Sequence, residues 1–248
     1  MPDLLIDIGN TNIKTALSRG KRIYNFKRID YSKINFEESL KKVLKHKNNS
    51  FNAAGISCLN NKIKLISEKI IKDKYSIKPF FVESNKRIPI RLKYEKTLGN
   101  DRICSAVAAA DKYADRDSIL VIDFGTATTY NLIVKKEFIG GLITPGIMTS
   151  LLSLNRNANL PLTEISNVKK LISNKSKTNI LSGVIHQSLF TTEGIIHTLR
   201  KKYRNLLVIS TGGLAELISK KSGLIDKFDK NLVLEGINIV LNYNLKNP

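Results

Sequence analysis

Short apolar runs rich in β-branched residues alternate along the chain with longer segments in which apolar residues recur every three or four positions. The short runs predict strands, and the longer segments predict amphipathic helices. The predicted strands cover residues 3–8, 12–18, 22–28, 53–58, 79–83, 118–123, 128–134, 137–143 and 205–210. The predicted helices cover residues 36–47, 61–74, 146–155, 179–203 and 232–244, with further helices after residues 101 and 213. This alternation predicts an α/β protein whose sheets are layered by helices.

One strand pattern occurs twice. Leu4–Thr11 reads LLIDIGNT, and Leu120–Ala127 reads LVIDFGTA 116 residues further on. In each copy an apolar strand delivers an Asp and then a Gly at its carboxyl end. The Gly lets the backbone approach a ligand closely, the residues after it offer hydrogen-bond donors, and the Asp can hold a cation. The repeat therefore predicts two similar lobes that bind a polyphosphate between them, residues 1–115 and residues 116–248.

A plain structural explanation stays open for each copy. Gly-Asn-Thr also forms an ordinary hairpin turn, and Asp7 would then only accept hydrogen bonds from the turn. The duplication favours the functional interpretation, because two unrelated turns seldom repeat an acidic strand end.

The composition is that of a globular protein, with 42% hydrophobic and 25% charged residues among 248. No apolar run approaches the roughly 18 residues that a membrane-spanning helix needs. The two cysteines, Cys58 and Cys104, have no metal-ligand spacing and are too few for a disulfide framework. We therefore expect a cytoplasmic protein without a membrane partner.

The net charge of +20 comes from 41 Lys and Arg against 21 Asp and Glu. Such an excess can mark a nucleic-acid or anionic-surface partner. Here the basic residues are spread over most of the chain, and the predicted helices place many of them on outer faces. A nucleic-acid partner is therefore not favoured.

Six short segments occur in a characteristic order and spacing. They are residues 7–14, 99–102, 123–129, 140–146, 159–161 and 211–213. In this order they resemble the type III pantothenate kinases along nearly the whole chain. The resemblance implies two duplicated actin-like (ribonuclease H-like) lobes, each a mixed sheet layered by helices, with a nucleotide cleft between them. It also implies transfer of the ATP γ-phosphoryl group to pantothenate, which gives 4'-phosphopantothenate in the first step of coenzyme A biosynthesis.

The resemblance assigns the nucleotide and cation contacts by position. Thr126 matches a nucleotide contact, Asp123 matches the ligand of a monovalent cation (K⁺ or NH₄⁺), and 211–213 matches the turn on the adenosine side. ATP is expected to arrive with Mg²⁺. The first phosphate motif comprises Asp7, Ile8, Gly9, Asn10, Thr11, Asn12, Ile13 and Lys14.

The same resemblance assigns the acceptor site. Asp101 matches the catalytic base, and pantothenate contacts fall on Gly99, Asn100, Asp101, Arg102 and Thr178. Read from the residues alone, Asp101 precedes a good helix former and would cap that helix. Capping and catalysis are compatible, because a helix amino terminus stabilises nearby negative charge. Arg102 is a suitable partner for a carboxylate or a phosphate oxygen.

The chain departs from the family pattern at two places. The family carries a Tyr seven residues before the first Gly of Gly-x-Asp-Arg, whereas Leu92 holds that position here and Tyr94 lies two residues later. Either Tyr94 still reaches the substrate pocket, or that contact is absent. Lys175, Ser176 and Lys177 also replace the usual small residues before Thr178.

Family members are typically homodimers in which long helices of the second lobe pair. The predicted helix over 179–203 has more apolar residues than one buried stripe requires, which suits an interface or a plain core: Val184, Ile185, Leu189, Ile195, Ile196 and Leu199. Two rival functions stay open. One is a non-catalytic regulator or nucleic-acid-binding protein on the same fold, and the other is a kinase of another small alcohol.

Overall fold

The computed structural model describes residues 1–31, 35–45, 50–58, 60–166, 168 and 170–246. The chain forms two compact units. Unit 1 comprises Met1–Tyr113 and Asn231–Pro248, and unit 2 comprises Ala114–Lys230. The end of the predicted helix 36–47 lies outside the described residues. Among the residues described, no helix combines the length and the apolar composition needed to cross a membrane.

Unit 1 is built on a mixed sheet. Its strands are β1 (Asp3–Ile8), β2 (Asn12–Arg19), β3 (Arg22–Asp30), β4 (Ala54–Ser57) and β5 (Phe80–Phe81), and β6 (Arg91–Leu92) follows along the chain. The sheet order is β3-β2-β1-β4-β5. All six residues of β1 are buried, because β1 is central and lies between antiparallel β2 and parallel β4. A strand covered on both faces reads as a continuous apolar run, which is the pattern of this segment.

Four helices belong to unit 1: α1 (Phe36–Val43), α2 (Asn61–Tyr75), α3 (Asn100–Lys112) and α7 (Leu232–Lys246). Helix α3 is buried from Arg102 to Ala110, and its small side chains let another helix come close. A Cβ atom on Gly236 of α7 would overlap the carbonyl of Cys104 in α3. The two helices therefore pack backbone against backbone at this point, and only glycine fits there.

Unit 2 repeats the architecture. Its strands are β7 (Ser118–Phe124), β8 (Ala127–Val134), β9 (Glu137–Pro145), β10 (Leu207–Thr211) and β11 (Lys227–Phe228), in the sheet order β11-β10-β7-β8-β9. Its helices are α4 (Ile147–Ala158), α5 (Ser176–Lys202) and α6 (Ala215–Ser219). Strand β7 corresponds to β1, since each is followed by an antiparallel hairpin and flanked on its other side by a parallel strand. The predicted α/β class with two helix-layered mixed sheets is confirmed.

The division expected from the sequence differs from the structure at the end of the chain. Residues 116–248 were expected to form one lobe, but α7 packs on α3, β1 and β4 and belongs to unit 1. The close approach of Gly236 to Cys104 joins residues far apart in sequence, so no local pattern reveals it. The predicted strand 79–83 is shorter, and β6 and β11 span two residues each and carry no strand pattern.

The apolar residues of α5 have a place inside unit 2. Val184, Ile185, Leu189 and Ile196 are buried in its hydrophobic core, and Ile195 and Leu199 pack against that core. Of the two explanations for this set, the plain core accounts for all six residues.

Candidate functional site

The first acidic strand end places a carboxylate in the interior of unit 1. Asp7 is 6% exposed. The antiparallel register puts Lys14 opposite Asp7, and Lys14 Nζ lies 3.4 Å from Asp7 Oδ2. Burial raises the pKa of Asp7, the Lys14 ammonium opposes that shift, and the negative charge of Asp101 adds to it. The charges of Asp7 and Asp101 therefore influence each other.

The turn after β1 is held by hydrogen bonds within its own backbone and by Tyr31, the residue that follows β3. Gly9 N–H donates to the Asn12 carbonyl (3.0 Å), and the Tyr31 hydroxyl donates to the Gly9 carbonyl (2.5 Å). Tyr31 N–H also donates to the Thr11 carbonyl at 3.0 Å. The side chain of Asn10 is exposed at the tip of this turn. Sequence reasoning missed Tyr31, because no spacing rule links it to the motif.

The members of the first phosphate motif divide by burial. Ile8 and Ile13 are buried in the core of unit 1, so only their backbone could contact a ligand. Asn10 and Thr11 are exposed, and Asn12 and Lys14 are half-buried. The Asn12 amide donates to Thr11 Oγ1 at 3.2 Å. The polar members thus form the accessible part of the turn, while the isoleucines anchor it.

The Gly99–Arg102 segment forms the start of α3. Gly99 is the N-cap residue, and Asp101 lies in the first turn, where its Oδ1 accepts a hydrogen bond from Arg102 N–H at 2.8 Å. The alternative interpretation from the sequence, that Asp101 is the N-cap residue, is therefore wrong, because the cap lies two residues earlier. A Cβ on Gly99 would lie 2.7 Å from Asp101 Oδ1, so glycine leaves this carboxylate room. The Asn100 amide donates to the Cys58 carbonyl at 2.9 Å and fastens the helix start to the end of β4.

Cys104 lies beside both carboxylates. Burial raises the pKa of its thiol well above the ordinary value, and the charges of Asp7 and Asp101 raise it further. A hydrogen bond with Ser57 acts in the opposite direction. Ser57 is the parallel register partner of Asp7. The ends of β1 and β4 and the start of α3 therefore converge, and neither Cys104 nor Ser57 was singled out from the sequence.

Arg102 and Tyr94 are in contact. Arg102 is only 6% exposed, and its Cζ lies 5.3 Å from the centroid of the Tyr94 ring. Tyr94 itself is 41% exposed. Leu92, at the position of the family's Tyr, lies in β6. The tyrosine at the shifted position is therefore next to a residue of the expected acceptor site.

Unit 2 arranges the second acidic strand end differently. The register neighbours of Asp123 are Thr129 on the antiparallel side and Thr211 on the parallel side, and Asp123 is half-buried. Gly212 has a φ of +101°, and a Cβ there would overlap Asp123 Oδ1. The turn at 211–213 therefore passes directly against the carboxylate of Asp123. Only glycine permits this combination of backbone angle and approach.

The Gly125–Thr126 loop packs against the start of α4. A Cβ on Gly146 would overlap the Gly125 carbonyl. The Thr126 carbonyl accepts from Gly146 N–H at 3.1 Å and from Thr149 Oγ1 at 2.6 Å, while the residue as a whole is exposed. The loop is thus fixed by its backbone and keeps the Thr126 side chain accessible.

Thr178 lies in the first turn of α5, in unit 2, whereas Gly99–Arg102 lies in unit 1. It lines a cavity of about 430 Å³ within unit 2. The lining residues are Thr163, Ser166, Val168, Lys170, Ser173, Lys177, Thr178 and Leu181. The lining combines hydroxyl groups with two lysines, which suits an anionic or hydroxylated ligand. The unusual Lys177 before Thr178 is part of this lining.

Few protein ligands for a metal ion are present. In the described part of the chain, no group of three or more His, Cys, Asp or Glu side chains lies close enough to hold one. Asp7 and Asp101 in unit 1 and Asp123 in unit 2 each offer carboxylate oxygens, which hard cations prefer. A cation at either place would therefore complete its coordination with ligand oxygens, backbone carbonyls or water.

Comparison with known proteins gives a family and a fold. A family model described as type III pantothenate kinase matches residues 3–198, which is more than half of the chain. Solved structures of similar fold include a candidate Baf family transcriptional activator from Campylobacter jejuni, with 21% identity, a TM-score of 0.60, and coverage of 98% of this chain and 99% of that one.

Two further structures are kinases by their descriptions. A candidate N-acetylmannosamine kinase from Listeria monocytogenes is 14% identical over 99% of this chain and 100% of its own, with a TM-score of 0.55. A ROK family glucokinase from Streptomyces griseus, in complex with glucose and AMPPNP, is 12% identical over 97% and 99%, with a TM-score of 0.51. At these identities the likenesses establish the shared fold alone, and they agree with the duplicated architecture.

The burial of Asp7 predicts a specific pH dependence of stability. Because the pKa of Asp7 is higher in the folded chain than the ordinary 3.8, folding favours its protonated form. The contribution of Asp7 to the free energy of unfolding is therefore fully present below about pH 4 and falls as pH rises through the folded-state pKa. We expect Asp7→Asn to lack this decline, so that its stability relative to the unsubstituted protein increases with pH.

Urea unfolding between about pH 4 and pH 8 measures this difference. Asp30→Asn is the matched control, because its side chain in β3 is 62% exposed. A stability difference between Asp7→Asn and the unsubstituted protein that stays constant over this range would contradict the assignment of a buried, protonation-sensitive carboxyl to Asp7.

Proposed function

Because the chain belongs to the type III pantothenate kinase family, as the match over residues 3–198 shows, we propose that it transfers the γ-phosphoryl group of ATP to pantothenate. The product would be 4'-phosphopantothenate, in the first step of coenzyme A biosynthesis. The observation that carries the proposal is the buried carboxylate of Asp7 at the end of β1, which lies beside Lys14 and an accessible glycine turn and feels the negative charge of Asp101. Two carboxylates and one lysine are suited to a metal-bound polyphosphate and a reacting hydroxyl.

The turn Gly9–Asn12 and Lys14 are proposed to contact the phosphates of ATP. Gly9 brings backbone close to the ligand, the exposed Asn10 and Thr11 offer hydrogen-bond donors, and Lys14 offers a positive charge. The hydrogen bonds from Tyr31 hold this turn in one conformation, so little ordering is needed when ATP binds. Mg²⁺ bound with ATP would neutralise phosphate charge, and Asp7 is the carboxylate placed to interact with it.

In unit 2, Thr126 is proposed as a nucleotide contact and Asp123 as the ligand of a monovalent cation. Thr126 is accessible on a loop that is fixed by its backbone, and the backbone at Gly212 passes directly against the Asp123 carboxylate. The register position opposite Asp123 carries the uncharged Thr129, whereas the position opposite Asp7 carries Lys14. We propose that Asp123 holds a K⁺ or NH₄⁺ ion, as the family resemblance implies.

Asp101 is proposed to orient and deprotonate the primary hydroxyl of pantothenate. The hydroxyl oxygen forms a bond to the γ-phosphorus, the bond from that phosphorus to the bridging oxygen breaks, and ADP leaves. Because this transition state is loose, positioning contributes more than proton abstraction. The start of α3 supplies that positioning, since Arg102 N–H holds the Asp101 carboxylate and Gly99 leaves it space.

Arg102 in unit 1 is proposed to bind the carboxylate of pantothenate. Thr178 in unit 2 is proposed as an acceptor contact on the family resemblance alone. A guanidinium recognises a carboxylate through paired hydrogen bonds, and the burial of Arg102 strengthens them. This carboxylate is the chemical feature that separates pantothenate from the sugars used by other kinases of the same fold. Arg102 is thus the residue on which the identity of the acceptor chiefly rests.

A regulator on the same fold is the alternative from another functional class. The similar Campylobacter jejuni structure is described as a candidate transcriptional activator, and the charge of +20 would attract nucleic acid. The adjacent carboxylates of Asp7 and Asp101 argue against it, because they repel phosphate unless a cation intervenes. A protein that only bound nucleic acid would gain nothing from them.

The function is tested by ATP consumption in the presence of pantothenate, pantetheine and glucose, each tried separately. We expect turnover with pantothenate, and we expect Asp101→Asn to lower kcat on the order of 100-fold or more, because the general base is lost. The fold should survive, since the amide keeps the shape of the side chain.

Asp111→Asn is the matched control, because Asp111 lies in the same helix with a side chain 49% exposed and forms a surface ion pair with Lys21 at 3.8 Å. It should leave kcat unchanged. Turnover with glucose and none with pantothenate would show that the acceptor is a sugar and not pantothenate. A near-normal kcat in folded Asp101→Asn would show that Asp101 is not the general base.

A second prediction concerns the monovalent cation. We expect the rate to rise when Na⁺ is replaced by K⁺ or NH₄⁺ at constant ionic strength, because Asp123 holds the larger cation beside the phosphates. In Asp123→Ala this response should be lost, while thermal unfolding still shows a folded protein. Equal rates in Na⁺ and K⁺ for the unsubstituted enzyme would count against a cation at Asp123.

We also propose that the protein is a homodimer, as is typical of the family. Unit 2 exposes large apolar side chains, among them Leu142 (51%), Ile143 (62%) and Phe190 (53%), which a second copy would remove from water. Sedimentation equilibrium at micromolar concentration should give twice the chain mass of 27.8 kDa. Ile143→Lys should shift the equilibrium toward the monomer, and a monomer in the unsubstituted protein would refute the proposal.

A further inference from the structure

We infer that Tyr94 is a positioning residue that fixes the guanidinium of Arg102 for an acceptor carboxylate. The inference rests on the proposed function, since it assigns the way in which this site selects an anionic alcohol over a neutral one. It concerns the face of the Tyr94 ring, and it gives the phenolic hydroxyl no necessary part.

The contact itself is a cation–π pair. Arg102 Cζ lies 5.3 Å from the ring centroid, within the range of about 6 Å in which a cation is attracted by the ring. Arg102 is 6% exposed and Tyr94 is 41% exposed, so the ring is the outer member of the pair. A guanidinium shielded from water gains more from such a contact than one at the surface.

The backbone of Arg102 is fixed separately from its side chain. Arg102 N–H donates to Asp101 Oδ1 at 2.8 Å, and a Cβ placed on Gly99 would lie 3.8 to 3.9 Å from Cδ and Cγ of Arg102, so Gly99 is close to this part of the side chain. These contacts set where the side chain begins. At the other end of the side chain, the Tyr94 ring packs on the guanidinium plane.

Orientation of that plane decides how well a carboxylate is bound. A planar guanidinium forms two parallel hydrogen bonds to a carboxylate only when the two groups lie in one plane. A neutral acceptor has no carboxylate to be paired and gains little from the same orientation. The ring of Tyr94 should therefore influence the affinity for anionic acceptors and leave neutral acceptors unaffected.

The shifted position of the tyrosine agrees with this role. Leu92 lies in β6 and is half-buried, so it has no aromatic face to offer. Tyr94 lies in the loop after β6, close to a turn in which Leu98 N–H donates to the Glu95 carbonyl at 3.2 Å. The loop therefore presents an aromatic face to Arg102 from outside the strand, which a residue within β6 would not do.

The experiment compares Tyr94→Leu with Tyr94→Phe in steady-state kinetics. Pantothenate carries the carboxylate, and pantetheine carries an amide in its place. Tyr94→Leu should raise KM for pantothenate about 5- to 30-fold, as expected from losing a partly desolvated cation–π contact. Its kcat should change by less than about twofold, and its KM for pantetheine and for ATP should not change. Tyr94→Phe keeps the ring and should behave like the unsubstituted enzyme with both acceptors.

A second measurement follows the arginine directly. Phenylglyoxal reacts with accessible guanidinium groups, and mass spectrometry of digested protein reports the modified fraction of Arg102. We expect greater modification in Tyr94→Leu than in the unsubstituted protein and no increase in Tyr94→Phe. Unchanged reactivity in folded Tyr94→Leu would overturn the inference.

The outcomes separate this inference from the proposed function. Turnover of pantothenate by the unsubstituted enzyme, with an unchanged KM in Tyr94→Leu, would overturn the inference alone. An equal rise in KM for both acceptors, or the same loss in Tyr94→Phe, would also overturn it, because the tyrosine would then contact the acceptor itself. If no acceptor with a carboxylate, pantothenate included, supported ATP consumption by the unsubstituted enzyme, both the proposed function and the role of the Tyr94–Arg102 pair would be overturned.

Discussion

The burial of the Asp7 carboxylate is the constraint on which the organisation of unit 1 depends. Every residue of β1 is buried, so this charge cannot turn to water, and Lys14 on the neighbouring strand is the cation that opposes its cost. An amide or an apolar residue would fill the same place with less loss of stability. A buried carboxylate that does not stabilise the fold indicates a functional site. Asp101, whose charge acts on Asp7, is a second carboxylate for that site.

The two halves of the chain use the same strand pattern for different purposes. In unit 1 the hairpin supplies its own cation, because the residue opposite Asp7 is Lys14. In unit 2 the residue opposite Asp123 is Thr129, and the backbone at Gly212 passes directly against the carboxylate. The two strand ends therefore share the strand, the Asp and the Gly, and they differ in the residue that lies opposite the Asp.

Features that depend on residues close together in the sequence can be predicted from it, and features that depend on residues far apart cannot. Strands and helices came from local periodicity, and the acidic strand ends came from short motifs, so both were open to prediction. The placement of α7 in unit 1 was not, because it depends on the approach of Gly236 to Cys104 across more than half of the chain. Tyr31 was also missed, since its hydrogen bonds to the Gly9–Thr11 turn depend on where the chain runs just after β3, which no motif spacing predicts.

Cys104 shows how the packing of α3 and the electrostatics of the site constrain each other. The start of α3 is fastened to the end of β4 by the hydrogen bond from Asn100 to the Cys58 carbonyl, and the charges of Asp7 and Asp101 both act on the buried Cys104 thiol in this helix. Burial and the two negative charges keep the Cys104 thiol protonated, so it adds no third negative charge. Its backbone meanwhile receives Gly236 of α7. Cys104 therefore links the electrostatics of the two carboxylates to the packing of α3 against α7.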